Sequence, residues 1–215
     1  SGMIFPNMGT MLGFIFTDVN ISSSLLNFFL KKKLENTFNS ISVDGDTSTN
    51  DMVLLFSTNK VKQKIITNKN SKEARVFEKN LESVMLDLAK QVAIDGEGAS
   101  KLISIQVSGC KNKILPKKIA FSIANSPLVK TAIAAEDPNW GRIIMAVGKA
   151  DTKINKHKIS LKIGSNLIFK DGEIVKNYDE SKVKEYMKNK NLEIFVDINS
   201  GKYSFTAHTC DLASK

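Results

Sequence analysis

One stretch limits the fold more than any other. Between residues 71 and 94 the apolar side chains Ala74, Phe77, Leu81, Val84, Met85, Leu88 and Val92 recur at helical spacing. A long amphipathic helix follows from that spacing, and its apolar face has to lie on another layer of structure. The rest of the chain supplies short apolar runs. Those over 11–16, 52–56, 99–108, 143–147, 159–163 and 167–169 read as strands, with a turn at Asp171-Gly172. The first, aromatic and β-branched, is expected in a sheet interior. Leu25, Phe28, Phe29 and Leu34 predict a second amphipathic helix over 22–39, its phenylalanines packed in the core, after capping oxygens in Thr17-Asp18-Val19-Asn20. Pro116 opens a helix striped over 119–124, and 181–190 is another. The runs 192–198 and 202–209, joined at Asn199-Ser200-Gly201, read as a hairpin. Periodicity alone thus supports a mixed α and β chain, whose last third reads as a smaller βαβ-type layer.

Charge raises the question of nucleic acid. The net charge is +9, but the basic residues are nearly all lysine, and Arg75 and Arg142 are the two arginines. Bidentate reading of phosphates and bases favours arginine. Lys31-Lys32-Lys33 and Lys117-Lys118 fall on predicted helices as solvated faces, so nucleic acid is not an expected partner. Attraction of acidic substrates is the milder use of this charge. No apolar stretch of about 18 residues indicates a membrane span. No signal peptide is legible, and position 1 is not Met, so the chain is expected to belong to something longer. Cys110 and Cys210 lack zinc-site spacing with His157 or His208, and two free thiols suit a reducing cytoplasm. His208 and Cys210 share a strand face. That pair reads as a packed strand end, or as a metal or Cys/His catalytic pair.

Four polar stretches carry candidate chemistry. At Gly9-Thr10 a hydroxyl follows a residue with no side chain, at the mouth of the first strand. Thr10 Oγ attacking the Gly9 carbonyl, followed by ester hydrolysis, would leave Thr10 as a new N-terminus. Its α-amine, with a pKa of about 7.7–8.0, would then serve as base for its own hydroxyl. The plain alternative is a turn leading into a strand. The run 42–51 alternates carboxylates and hydroxyls like a calcium loop but lacks the terminal bidentate Glu, which leaves an Asx-rich turn. Asp95-Gly96-Glu97-Gly98-Ala99 is either a helix C-cap with a solvated Glu or a close-approach loop whose carboxylate holds a substrate ammonium or amide. Asp137-Pro138-Asn139-Trp140-Gly141-Arg142 reads as a surface turn, an interface anchor or a pocket wall.

Together, SGMIFPNMGTMLGFIFTD, the 42–51 loop, the glycine-flanked Glu97, the 137–142 hexapeptide and Ala207-His208-Thr209-Cys210-Asp211-Leu212 resemble the ornithine acetyltransferase family. These are the glutamate N-acetyltransferases of arginine biosynthesis, and the likeness covers nearly the whole chain, mostly their C-terminal β chain. Gly9 and Phe5 stand where alanine is usual, and His208 stands where the family has tryptophan. The resemblance implies an α/β (α+β) sandwich of the DmpA/ornithine-acetyltransferase type, with N-terminal-nucleophile-like layers of sheets and helices. It implies a self-cleaving acyltransferase in which Thr10 is nucleophile and substrate contact and Glu97 binds substrate, with 1–9 as the tail of the preceding chain, 10–150 as the nucleophile-bearing domain and 151–215 as a smaller C-terminal layer. Asp46, Thr47, Ser48 and Asn50 would brace the cleavage site, and Asn139, Trp140 and Arg142 would shape the site or a subunit contact. Acetyl would pass from N-acetylornithine, or from acetyl-CoA in bifunctional members, to glutamate. No bound cofactor and no metal are implied. Partners are the preceding α chain of the same precursor, in a tetramer of two α and two β chains, in the cytoplasm. An oxyanion-hole Thr-Gly pair, a substrate lysine and a C-terminal asparagine and threonine would lie outside this chain. An aminopeptidase-like hydrolase using water as acceptor, and a non-catalytic or inactive relative, are the competing readings.

Overall fold

The long predicted helix forms, and it anchors the first of two cores in this computed structural model, which describes residues 11–212. Strand β1 (Leu12–Thr17) leads through helix α1 (Ser23–Leu34) to strand β2 (Met52–Ser57), which lies parallel to β1 from Leu12↔Met52 to Thr17↔Ser57. A parallel return needs a crossover, and α1 supplies it. Helix α2 (Lys72–Ile94) follows, capped by Ser71, whose Oγ accepts from Ala74 N at 3.1 Å. Ala74, Phe77, Leu81, Met85 and Ala89 of α2 pack with Ile15, Leu25, Leu26, Phe29 and Ile66. Val84, placed on that face by spacing, is 47% exposed; the buried row runs through Met85 and Ala89 instead. Lys33 joins α1 to α2, its ammonium 2.9 Å from Glu78 and 2.8 Å from Glu82.

Three expectations for this half need correction. The 22–39 helix stops at Leu34, and Thr37 donates its hydroxyl to the Lys33 carbonyl at 2.7 Å before a 3-10 turn over Phe38–Ser40. Phe29 is core, but Phe28 is a surface ring with the ammoniums of Lys69 and Lys32 at 5.4 and 6.0 Å. And β1 is not in a sheet interior. Among the described residues it pairs with β2 alone, and Leu12, Phe14 and Phe16 are all more than half exposed.

The second core lies on a six-stranded sheet. Strand β3 (Leu102–Cys110) leads to helices α3 (Ile114–Ala124), α4 (Pro127–Ala134) and α5 (Trp140–Ala150). Strands β4 (Ser160–Ile163), β5 (Asn166–Lys170) and β6 (Glu173–Ile174), helix α6 (Glu180–Met187) and strands β7 (Asn191–Asp197) and β8 (Tyr203–Cys210) complete it. The order is β6-β5-β4-β7-β3-β8. Ile103, Ile105 and Val107 alternate into the core with Ile119, Ile123, Val147, Leu161, Ile168 and Ile194. The turn at Asp171-Gly172 forms, with φ +53° and +89°.

Two readings fail here. Residues 143–147 are helical, because Ile143, Ala146, Val147 and Ala150 are buried together at helical spacing. The 192–209 segment is no hairpin, because β3 sits between the two strands, parallel to β7 and antiparallel to β8. The connection passes over the end of β3 instead of turning tightly. Ser200 N donates to Gly109 O at 2.7 Å, and a Cβ on Gly201 would stand 2.2 Å from Cys110 O.

Candidate active site

Gly9 and Thr10 lie outside the described residues, which begin at Met11. Met11 is held through both of its backbone groups at the start of β2. Its carbonyl accepts from Met52 N at 3.0 Å, and its N–H donates to Asp51 Oδ1 at 3.0 Å. Asp51 ends the 42–51 loop, whose polar residues largely satisfy their own backbone. Asp44 Oδ1 accepts from Asp46 N at 2.9 Å, Ser48 Oγ accepts from Asn50 N at 3.3 Å, and Gly45 takes φ +93°. Asp46 and Thr47 are exposed. The Asx-rich turn is therefore real, and anchoring comes from its ends. Ser42 N donates to His208 O at 3.0 Å, and Ser42 Oγ donates to Asn125 Oδ1 at 2.5 Å.

The second loop comes off the end of α2. Asp95 N still donates to Gln91 O, Ala99 N donates to Gly96 O at 2.9 Å, and Gly98 takes φ +74°, a conformation that suits glycine. Glu97 is exposed at the apex, so its carboxylate is presented to solvent. Gly96 beneath it is buried. A Cβ there would lie 2.8 Å from Val43 Cγ1 and 3.0 Å from Cys210 Sγ. The two loops thus touch at Gly96, over the end of β8.

Two buried ionic side chains hold this junction, and sequence reasoning assigned neither a role. Lys130 is 2% exposed, and its ammonium donates to Val43 O at 2.8 Å, Thr209 Oγ1 at 2.8 Å and Cys210 O at 2.6 Å. Burial pulls this ammonium below the usual lysine value, against the opposing pull of Cys210, Asp211 and Asp44. Three oxygens replace water around the charge, the condition for a buried lysine to remain in a fold. Asp211, fully buried, accepts from Ser100 N at 2.7 Å, Lys101 N at 2.9 Å and Ser100 Oγ at 2.5 Å. Lys101 continues outward to Glu136 at 3.0 Å and to Met187 O at 2.8 Å. A signal for Lys130 did exist: it shares the buried side of α4 with Val129, Ala132 and Ile133. A lysine on an apolar stripe asks for a partner.

The remaining candidates lie apart from the loops. Trp140 stacks on Phe169 of β5 at 5.7 Å. Arg142 Nη1 donates to Leu128 O at 2.7 Å and to Thr131 Oγ1 at 3.3 Å, and Asn139 Nδ2 donates to Asp137 Oδ2 at 3.3 Å. These contacts run to α4 and β5; the link from this segment to the Glu97 loop is Glu136 through Lys101. His208 and Cys210 do not make a catalytic pair. His208 Nδ1 meets Ser104 Oγ at 2.9 Å, and burial, helped by the charge of Lys90, takes this imidazole down to about 4. Cys210 Sγ instead faces the Lys130 ammonium at 3.9 Å, and burial raises its pKa, as it raises Cys110 to about 11. Both thiols are poor nucleophiles near neutrality. Among the described residues no three His, Cys, Asp or Glu side chains converge as metal ligands.

The arrangement is thus a strand start clamped by one loop, beside a second loop that offers a carboxylate. Comparison with known proteins accords with it. The sequence model of the ArgJ family matches residues 1–215. Proteins named arginine biosynthesis bifunctional protein ArgJ are similar over the whole chain. That of Caulobacter vibrioides is 46% identical over 215 residues, covering 100% of this chain and 53% of its own length. That of Zymomonas mobilis is 46% identical, covering 99% and 52%. That of Bartonella henselae is 45% identical, covering 100% and 52%. A crystal structure of the protein of that name from Bacillus halodurans superposes with a TM-score of 0.89 at 39% identity, covering 94% of this chain and 95% of that one. The chain spans about half the length of the curated relatives it matches.

Proposed function

The chain belongs to the ArgJ family, and on that premise we propose that it is the nucleophile-bearing part of a self-cleaving glutamate N-acetyltransferase of arginine biosynthesis. Thr10 Oγ attacks the Gly9 carbonyl carbon. The new C–O bond forms as the Gly9–Thr10 C–N bond breaks, and the hydroxyl proton passes to the departing amine. Water then hydrolyses the ester, leaving a carboxylate on Gly9 and a free hydroxyl and α-amine on Thr10. That amine takes the hydroxyl proton as Oγ attacks the acetyl carbonyl of N-acetylornithine, and ornithine departs with a proton on its own nitrogen. The acetyl-threonine is attacked by the amine of glutamate, which gives N-acetylglutamate and restores Thr10. Acetyl-CoA serves as a second acetyl donor in a bifunctional form, and no bound cofactor takes part. Glu97, exposed on its glycine-flanked loop, holds a substrate ammonium or amide. The remaining length of the precursor, the α chain, completes the site in a tetramer of two α and two β chains in the cytoplasm. No helix among the described residues is long and apolar enough to cross a membrane.

The observation that carries this reading is the junction at Gly96. It places the Glu97 loop against the loop that clamps Met11, the residue after Thr10. Intact mass of the full-length precursor beside Thr10→Ala tests it. Wild type is expected to split into two pieces, one beginning at Thr10, and to move acetyl from N-acetylornithine to glutamate, while the variant stays whole and inactive. Two whole, folded proteins remove the nucleophile assignment. Acetyl released as free acetate with none on glutamate favours the aminopeptidase-like hydrolase instead.

A further inference from the structure

We propose that Asp51 is a positioning residue for the nucleophile, acting through the backbone of Met11; this rests on the assignment of Thr10 above. On a strand, the N–H and C=O of one residue point to the same side. At Met11 both point to β2, and both are taken: the carbonyl by Met52 N and the N–H by Asp51 Oδ1, each at 3.0 Å. The paired register begins at Leu12↔Met52, so the Met11 N–H lies beyond it. A carboxylate, not a backbone carbonyl, accepts that N–H and extends the ladder by one step. The nitrogen involved belongs to the Thr10–Met11 peptide. Holding this N–H holds Met11, the residue bonded to Thr10, at the start of β2.

The neighbouring side chains do something else. Asp44 and Ser48 turn back on the amides of Asp46 and Asn50 within the loop, whereas Asp51 reaches 40 residues along the chain. Its own frame is stiff, since Met52 continues into β2 and the far end of the loop is tied at Ser42 and Val43 to His208 and Lys130. The charge also strengthens the bond to an amide donor. Asp51 is exposed, so its contribution is to the orientation of one peptide and not to the core.

The experiment uses the full-length precursor carrying Asp51→Ala or Asp51→Asn, with Thr10→Ala alongside. Three quantities are read: the rate at which the piece beginning at Thr10 appears, steady-state acetyl transfer to glutamate, and Tm. Asp51→Ala is expected to slow cleavage and lower kcat by about 10- to 100-fold, the scale of a small misplacement of a reacting group. KM for both substrates stays within about twofold, since substrate binding is untouched. Asp51→Asn keeps an oxygen acceptor and is expected to retain most of the rate. Asp51→Ala at wild-type rates overturns the proposal. So does Asp51→Asn failing as badly as alanine, a loss confined to KM, or an Asp51→Ala precursor that no longer folds. A Thr10→Ala precursor that still cleaves removes the nucleophile assignment itself. An inert Thr10→Ala beside an unimpaired Asp51→Ala removes only the role of Asp51.

Discussion

His208 shows how a single side chain changes character with its surroundings. On β8 it is 5% exposed, bonded to Ser104 Oγ and near the charge of Lys90, and burial takes its pKa to about 4. The unfolded chain protonates this imidazole near 6.5. The folded value is the lower one, so the stability contributed by neutral His208 is fully present above about pH 6.5. It is lost as pH falls from there towards 4, because the unfolded state binds the proton first. His208→Phe removes that dependence while keeping a ring in the strand face. Urea unfolding of the two proteins at pH 7 and pH 4.5 is the check. The wild type is expected to lose more stability between the two pH values than the variant does, and equal losses would refute the assignment. Carboxylates elsewhere titrate in both proteins and cancel in the comparison.

At the scale of elements, the end of β8 matters more than any single helix. Thr209, Cys210 and Asp211 meet Lys130 from α4, Gly96 at the end of α2, and Ser100 and Lys101 at the start of β3. Asp211 is the clamp on the second loop, since it satisfies two successive backbone amides and one hydroxyl. Asp211→Ala is therefore expected to lose hydrogen-exchange protection at the amides of Ser100 and Lys101, by at least about tenfold for a lost charged bond of 1.5–3 kcal/mol. Amides in the middle of α2, such as that of Met85, should change much less. A uniform loss over the whole chain would mean that Asp211 carries the fold and not the loop. This junction was half legible in the sequence. The glycine-flanked Glu97 and the 207–212 segment each stand out as motifs, but nothing local says that one is bolted to the other more than a hundred residues away. Periodicity gave α2 and β3 because each buries one clean face. It misread 143–147, where isoleucine and valine suggest a strand but burial follows a helix. It also paired β7 with β8, because a turn signal cannot report that a third strand lies between.

At the scale of the molecule, the described residues form two cores and leave one apolar face that neither core covers. The β1–β2 pair buries Ile15 against α1 and α2, yet Leu12, Phe14, Phe16, Met52 and Phe56 remain 42–68% exposed. A two-stranded sheet is marginal on its own, and here it bears the residue that follows Thr10. The relatives are about twice as long as this chain, and the proposed reaction would draw its oxyanion donors and a substrate lysine from the part that this chain does not span. Loss of one oxyanion donor typically costs about 10²–10³ in kcat, and loss of the pair with a substrate contact costs more. The purified 215-residue chain is therefore expected to fold, because its two cores and the Lys130 and Asp211 junction are internal to it, but to transfer no acetyl above background. The assay follows labelled acetyl from N-acetylornithine to glutamate, for the chain alone and for the full-length precursor, with Tm recorded for both. Turnover by the folded chain alone would mean that its own residues stabilise the tetrahedral intermediate. The exposed strand pair would then not be the edge of an unfinished site.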